Sequence, residues 1–325
     1  MSHYSPIVAA LVTMLLTTII LFSKFGKEIQ DISNERSLHA TPVPRIGGVG
    51  MMAGLLSGWA LMLTSLAWWL VLPLIGLFAV SLLDDIQGLP VRKRLLAHTV
   101  AAAIMVGGAG LPTQHGVLIA LAALLLVIWM TNLYNFMDGS DGLAGGMALF
   151  GFSMYGVAAL MAHDDMQAML NFTIGAAALG FLYHNFYPAK VFMGDAGSIP
   201  LGFLAAGMGL WGWQQGYWAV WFPLLVFSPF IADASATLAK RALRGAKITE
   251  AHREHYYQRL IQMGWGHRNV ALLEYALMLA AGVSALVSVR VAFPVLTLLV
   301  WCGIYALLML AVDIAWKRTG QKQHV

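Results

Sequence analysis

The chain has 325 residues, 59% of them apolar and only 10% charged, with a mean hydropathy of +0.74 and a formal net charge of +4. Soluble domains carry roughly 25% charged residues, so this composition excludes an ordinary water-soluble protein and places the chain in lipid. The single cysteine, Cys302, lies in an apolar run and excludes a disulfide framework.

A membrane span needs about 20 mostly apolar residues. In chain order such runs occupy 6–23, 47–66, 68–83, 95–111, 115–134, 145–162, 167–187, 198–213, 217–237, 270–289 and 291–316, which makes eleven. The first has no basic segment before it and no small-residue cleavage site after it, so it reads as a retained span. An odd number puts the termini on opposite faces. One face then collects Lys24, Lys27, Arg36, Arg45, Arg92, Lys93, Arg94, Lys190, Lys240, Arg241, Arg244, Lys247, Arg253, Arg259, Arg268, Lys317, Arg318 and Lys322, and only Arg290 stands opposite. That asymmetry marks the basic face as cytoplasmic, with the amino terminus outside and the carboxyl terminus inside. The expected fold is an all-α, polytopic bundle of about eleven transmembrane helices, forming one membrane domain over residues 1–325. No internal repeat or low-complexity segment interrupts it.

The first basic loop, DISNERSLHATPVPRIGGVG (31–50), is stiffened by Pro42 and Pro44. Gly47 and Gly48 then open the second span with N–H groups, beside Arg36, His39 and Arg45. This pattern reads as an anion-binding loop, where simple positive-inside anchoring would explain the arginines but not the Pro and Gly. Next, SLLDDIQGLPVRKRLLAH (81–98) ends a span on adjacent acids, Asp84 and Asp85. Neighbours on a helix point apart, so one can face a substrate or metal while the other faces a protein partner. Acids are disfavoured at a helix carboxyl end, which weakens a purely structural reading as ion pairs to Arg92, Lys93 or Arg94.

The fifth span closes on NLYNFMDGSDGLAGG (132–146). Residues three apart are helical neighbours, so Asn132, Asn135 and Asp138 can line one side of its last turns. Gly139 and Gly142 then break the helix and let the backbone approach a ligand. Capping a helix end uses one or two such groups, not four at this spacing with Asp141. In VFMGDAGSIP (191–200), Gly194 and Gly197 flank Asp195 just before a helix start, whose N–H groups suit an anion; an N-cap role is the plain alternative. Finally, KRALRGAKITEAHREHYYQRLIQMGWGH (240–267) carries His252, Arg253 and His255 on an expected short helix with Arg259 one turn on. Such donors can clamp a diphosphate or rest on anionic lipid heads. Asp233 sits within a span, where a charged residue is functional by default.

Asp84, Asp85, Asp138, Asp141 and Asp195 all fall at ends of spans on one face. Unpaired they would repel one another, and desolvation would disfavour their charge. A hard divalent cation removes both problems, and Mg2+ typically uses one or two carboxylates plus substrate phosphates. The bases can hold the remaining phosphate oxygens. Acids for a metal and bases for phosphates at a membrane surface point to phosphoryl transfer involving a lipid.

These motifs, in this order, resemble the polyprenyl-phosphate N-acetylhexosamine-1-phosphate transferase family (glycosyltransferase family 4 type) from about residue 31 to residue 260. The resemblance implies transfer of an N-acetylhexosamine-1-phosphate from a UDP-sugar to undecaprenyl phosphate, with release of UMP and use of Mg2+. It puts the metal on Asp195, with Asn135 a companion, and puts Asp84, Asp85 and Asp138 at the catalytic centre. Arg45, Gly47, Gly48, Lys93, Arg94, Asn132, Asp141, His252, Arg253 and His255 become substrate-binding residues. Members often carry two or three adjacent histidines in the last motif, whereas Tyr256 and Tyr257 follow His255 here. That departure points away from the peptidoglycan branch, whose substrate is UDP-N-acetylmuramoyl-pentapeptide, and toward initiators of O-antigen or related surface polysaccharides. The implied setting is a bacterial inner membrane with the active site facing the cytoplasm, with no nucleic-acid partner; a homodimer is left open. A transporter is the main rival, since Gly-broken helices and intramembrane acids also mark transport paths. Transporters, however, place their charges near the midplane, and these crowd at one face. A non-catalytic scaffold would leave the motifs without a purpose.

Overall fold

Backbone polar groups in lipid must be satisfied within the chain, and the computed structural model is accordingly helical. It describes residues 2–24, 26, 29–31, 42–247, 252–291 and 293–322; Lys27, Arg36 and His39 lie outside the described residues. In chain order the helices are α1 (Ser5–Phe22), α2 (Gly47–Trp59), α3 (Trp68–Gln87), α4 (Val91–Gly108), α5 (Leu111–His115), α6 (Val117–Phe136), α7 (Leu143–Met161), α8 (Asp165–Asn185), α9 (Asp195–Gln214), α10 (Trp221–Val226), α11 (Ser228–Leu243), α12 (Tyr256–Leu260), α13 (Gly266–Val291) and α14 (Pro294–Lys322). The one strand pairing among the described residues joins Gln30–Asp31 to Val43–Pro44, antiparallel.

The protein is a multi-pass helical membrane protein. Among the described residues, eight helical segments are long and apolar enough to cross a bilayer: Ser2–Phe22, Gly47–Ser65, Trp68–Gln87, Val117–Phe136, Leu143–Met161, Asp165–Asn185, Tyr256–Val291 and Pro294–Thr319. The other three expected spans are helical but differ in kind. The run at 95–111 falls on α4, which begins on Arg92, Lys93 and Arg94. The run at 198–213 is α9. The run at 217–237 is broken at Phe227 into α10 and α11, with Pro223 and Pro229 on either side, because proline removes an N–H donor from the helical ladder.

Helix α9 is the axis of the bundle. It packs on α6, α3, α2 and α7, and every residue from Asp195 to Leu210 is buried. A helix that is apolar all round belongs in such a centre. Its first residue is Asp195, so the packing that buries the helix also fixes the acid at its end. On one flank α1, α2 and α8 pack closely together. Gly50, Gly54 and Gly58 recur every fourth residue of α2 and face α1. A Cβ on Gly54 would lie 2.0 Å from the Thr13 hydroxyl and 2.5 Å from the Ala9 carbonyl oxygen. Small residues at this spacing allow helix backbones to approach in lipid. A Gly54→Val protein is therefore expected to lose about 1–3 kcal/mol through overpacking, read as a lower melting temperature in detergent with the helical content kept.

Candidate active site

The ends of α3, α6 and α9 and the start of α4 meet on the basic face. Helix α3 stops where Gly88 turns left-handed (φ 68°) and its N–H returns to the Asp84 carbonyl, a common helix ending. The turn swings α4 around so that Arg94 faces the acids. Its Nη1 lies 3.1 Å from Asp84 Oδ2 and 3.3 Å from Asp195 Oδ2. Arg45, in the segment before α2, reaches the same group from the other side: its Nη2 is 3.7 Å from Asp85 Oδ1 and 3.8 Å from Asp195 Oδ1.

The two adjacent acids do different things. Asp85 accepts the backbone N–H groups of Asp195 (3.0 Å) and Ala196 (2.8 Å), so it caps α9 from another helix, and its side chain is 1% exposed. The anion suited to that helix start is thus supplied by the protein itself. This corrects the expectation that the N–H groups opening α9 are open to a ligand, and it shows Asp85 positioning the start of that helix. Asp84 accepts the Leu89 N–H as well as Arg94, holding the turn that aims the arginine. Asp195 keeps looser partners and an 11% exposed side chain, and it is the acid best placed to take a further ligand.

Gly47 and Gly48 also depart from expectation. Their N–H groups donate to the carbonyls of Phe192 (2.9 Å) and Met193 (2.8 Å), so they are not anion donors. Glycine is needed there for another reason: a Cβ on Gly48 would lie 2.3 Å from the Gly197 nitrogen. The two glycines let the start of α2 lie against the start of α9, which carries Arg45 to Asp195.

In the 132–146 stretch, Asn132 and Asn135 lie on α6, while Asp138 falls beyond its end. Asn135 Oδ1 accepts from Ser198 (2.8 Å), and the Asn132 side chain meets both the Ile128 carbonyl and His98. Asp138 is raised well above the usual carboxylate range by burial; Arg45 opposes the shift and the charges of Asp195 and Asp85 add to it. Asp141 does not join the cluster. It accepts the Ala189 N–H (2.9 Å) and lies 3.8 Å from His267, tying the loop after α8 in place. Gly139 admits the Tyr257 hydroxyl, which a Cβ would meet at 2.3 Å, so the close approach is by protein. Lys93 is exposed, with no contact to the cluster among the described residues.

Contrary to the expectation from the sequence, His252, Arg253 and His255 are not on a helix; they precede α12, and His255 is its N-cap in a capping box with Gln258. Asp233 explains that geometry. Its carboxylate accepts the N–H groups of Tyr256 (2.9 Å) and Tyr257 (3.0 Å), and Oδ1 lies 3.2 Å from His255 Nδ1. The buried acid thus caps α12 and fixes His255 with Nδ1 toward Asp233, leaving Nε2 for other work. Burial lowers the His252 pKa to about 4, helped by His255 and Arg241, so near neutral pH its imidazole is an uncharged hydrogen-bonding group. An anion beside it would shift it back up.

These side chains line a groove of about 560 Å3. Its polar lining includes Arg94, Asn132, Asn135, His252, His255 and Gln258, and its apolar lining Leu95, Leu125, Ile128, Trp129 and Leu238. Arg253 turns away and lines a separate cavity. Sequence reasoning missed Ser198, Gln258, His98 and Trp129. Two had a signal: Gln258 follows His255 at capping-box spacing, and His98 lies one turn past Arg94.

Four carboxylates therefore meet two guanidinium groups. That acid excess suits a cation that completes its shell with non-protein oxygens; among the described residues, no three acidic or histidine side chains form a ligand set alone.

Residues 67–212 match the family described as Glycosyl transferase family 4. The chain is 30% identical over 305 residues to a "Probable undecaprenyl-phosphate N-acetylglucosaminyl 1-phosphate transferase" of Bacillus subtilis, covering 86% of this chain and 84% of the relative. It is 31% identical to a "Decaprenyl-phosphate N-acetylglucosaminephosphotransferase" of Mycolicibacterium smegmatis, covering 74% and 70%. It is 29% identical to a "Phospho-N-acetylmuramoyl-pentapeptide-transferase" of Picosynechococcus, covering 82% and 78%. With its groove and acid cluster set in a helical membrane bundle, the chain belongs to glycosyl transferase family 4.

Two outcomes are expected from these contacts. Asp85→Ala removes charge-assisted bonds worth about 1.5–3 kcal/mol each and should lower thermal stability in detergent clearly, whereas Asp195→Asn, which relieves repulsion, should not. For Asp138 the raised pKa means the folded state holds its proton to higher pH, so its ionisation destabilises the fold as pH rises through that pKa. In a chelator, Asp138→Asn should raise the melting temperature near pH 8, and the gain should vanish toward about pH 4, the free carboxylate range.

Proposed function

We propose that the protein transfers an N-acetylhexosamine-1-phosphate from a UDP-sugar to undecaprenyl phosphate, at the cytoplasmic face of a bacterial inner membrane. The observation that carries this reading is the groove. Its apolar lining can take an isoprenoid chain and its polar lining a phosphate, and Arg94 and Asn135 connect it to Asp195 and Ser198 of the acid-bearing helix start. An oxygen of the lipid phosphate attacks the sugar-bearing phosphorus. The bond to the bridging oxygen breaks, UMP leaves with that oxygen, and the lipid-diphospho-sugar remains.

The nucleophile needs no strong base. A phosphate monoester has a second pKa of about 6, so it is mostly dianionic at neutral pH. What it lacks is nearness to another polyanion, and phosphoryl transfer is largely positioning plus charge stabilisation. Arg94, which lines the groove, would hold the lipid phosphate. His255, oriented by Asp233, and the uncharged His252 offer hydrogen-bonding groups beside it. Arg45 faces the Asp195 side of the cluster. The donor set fits Mg2+: Asp195 would hold it, with the Asn135 amide a companion, and it would supply charge neutralisation for the diphosphate. The names of the relatives from Bacillus subtilis and Mycolicibacterium smegmatis make N-acetylglucosamine the first amino sugar to test. The Tyr256 and Tyr257 departure supports initiation of a surface polysaccharide such as O-antigen over the pentapeptide branch.

The test is release of UMP from a panel of radiolabelled UDP-N-acetyl sugars with undecaprenyl phosphate in detergent. A transporter or scaffold gives no product. Asp195→Asn should reduce transfer at least 100-fold, on the order of the loss of one major charge-stabilising group, while remaining folded. Asp84→Ala should show a flat, low rate as pH rises above 6; a rate that climbs back to the wild-type value would instead make Asp84 a general base.

A further inference from the structure

The second cavity on the basic face, about 670 Å3, is not part of the reaction groove. It lies between the end of α11, the segment leading into α12, and the last turns of α14. Among the described residues, five cationic side chains line it, Lys240, Arg244, Arg253, Arg259 and Lys317, against two acids, Glu254 and Asp313, so its described lining is predominantly cationic.

The two carboxylates are already shared. Asp313 takes both Lys240 and Arg259, the latter at 2.8 Å. Glu254 takes Arg241 and Arg244, with Arg259 Nη2 4.0 Å away. The cations are held in place from below by aromatic rings: Lys240 and Arg259 lie 5.0 and 5.1 Å from the Tyr256 ring centre, and Arg259 5.9 Å from that of Trp316. The remaining wall is greasy and outward-facing: Leu243 is 87% exposed and Leu310 55%. Helix α14, which supplies Leu310, Ile314 and Trp316, is scarcely buried by protein. A charge-rich floor with a lipid-facing wall matches a phosphate headgroup attached to acyl chains. A soluble phosphate has no use for the wall.

We propose that this cavity is a binding site for the phosphate headgroup of an anionic membrane lipid, distinct from the lipid that reacts. The site has a route to the chemistry. His252 and His255 line the reaction groove, while Arg253, Glu254 and Arg259 of the same short segment line the second cavity. A headgroup bound on one side of the segment holds the histidines on the other.

The experiment uses the full-length protein in nanodiscs and measures binding of a labelled phosphatidylglycerol against phosphatidylcholine. Each basic residue near a membrane surface is worth about fivefold in affinity for anionic lipid, so R244Q/K317Q should weaken phosphatidylglycerol binding roughly 25-fold. The charge-preserving R244K/K317R should restore it. Unchanged binding in R244Q/K317Q overturns the proposal. So does an equal loss in R92Q/K190Q, which would reduce the effect to general surface charge. Inorganic pyrophosphate binding as tightly as the headgroup overturns it too, by making the ligand a soluble phosphate. The coupling rests on the proposed transfer reaction and is read separately. Phosphatidylglycerol should raise the wild-type rate severalfold and leave R244Q/K317Q at its basal rate; a full rise in the variant removes the coupling. Lipid binding with no transfer in any bilayer would sink the reaction and leave the lipid site standing.

Discussion

The contact between the Asp85 carboxylate and the first two N–H groups of α9 is the constraint around which the site is arranged. A helix start buried in a bundle carries N–H groups with no helical partner. In lipid these cannot be left to water. Asp85 satisfies two of them at 3.0 and 2.8 Å and brings negative charge to the positive end of the helix dipole. Because Asp85 is the last-turn neighbour of Asp84, the same bond that caps α9 fixes Asp84, and through it Arg94, against Asp195. The glycines at 47 and 48 complete the arrangement by letting α2 carry Arg45 into the same space.

A second buried acid repeats the device. Asp233 caps α12 through the N–H groups of Tyr256 and Tyr257, and its contact with Nδ1 sets the orientation of His255. In both cases an aspartate within one helix of the bundle caps the start of another helix and positions a side chain there. The charged groups therefore fall into two kinds. Asp85 and Asp233 each accept two backbone N–H groups at a helix start. Asp195 and Asp138 are left in a surplus of negative charge that packing alone does not resolve.

Much of the fold was legible because lipid imposes a simple rule: long apolar runs become helices, and eight of the eleven runs fall on described helices long and apolar enough to span. The broken run at 217–237 was less legible, since Pro223 and Pro229 act on backbone bonds that hydropathy does not register. The gathering of acids was also legible, as Asp84, Asp85, Asp138 and Asp195 all end or begin spans on one face. Their division of labour was not. Whether Asp84 or Asp85 caps α9 depends on which side of α3 faces that helix, a property of tertiary packing. Gly47 and Gly48 look like anion donors in sequence because a glycine that frees an N–H and a glycine that admits a neighbour are written alike. Asp141 followed the spacing of Asn132, Asn135 and Asp138, but the chain had already left the helix at Phe136, so periodicity no longer described where its side chain would go.

The same logic explains why a positively charged residue stands at the mouth of an acid cluster. Arg94 touches two carboxylates and also faces the groove. Without a ligand's charge, the guanidinium offsets the acids; beside a phosphate, it can turn its remaining donors to the oxygens, since a guanidinium carries five N–H groups in a fixed fork. A lysine there would offer three donors around a point charge and could not bridge both acids and a phosphate with the same geometry. Binding an anion at Arg94 weakens its hold on Asp195, and that raises the demand of Asp195 for another positive charge. Anion and cation are therefore expected to bind cooperatively at this site, each removing the electrostatic penalty the other would meet alone.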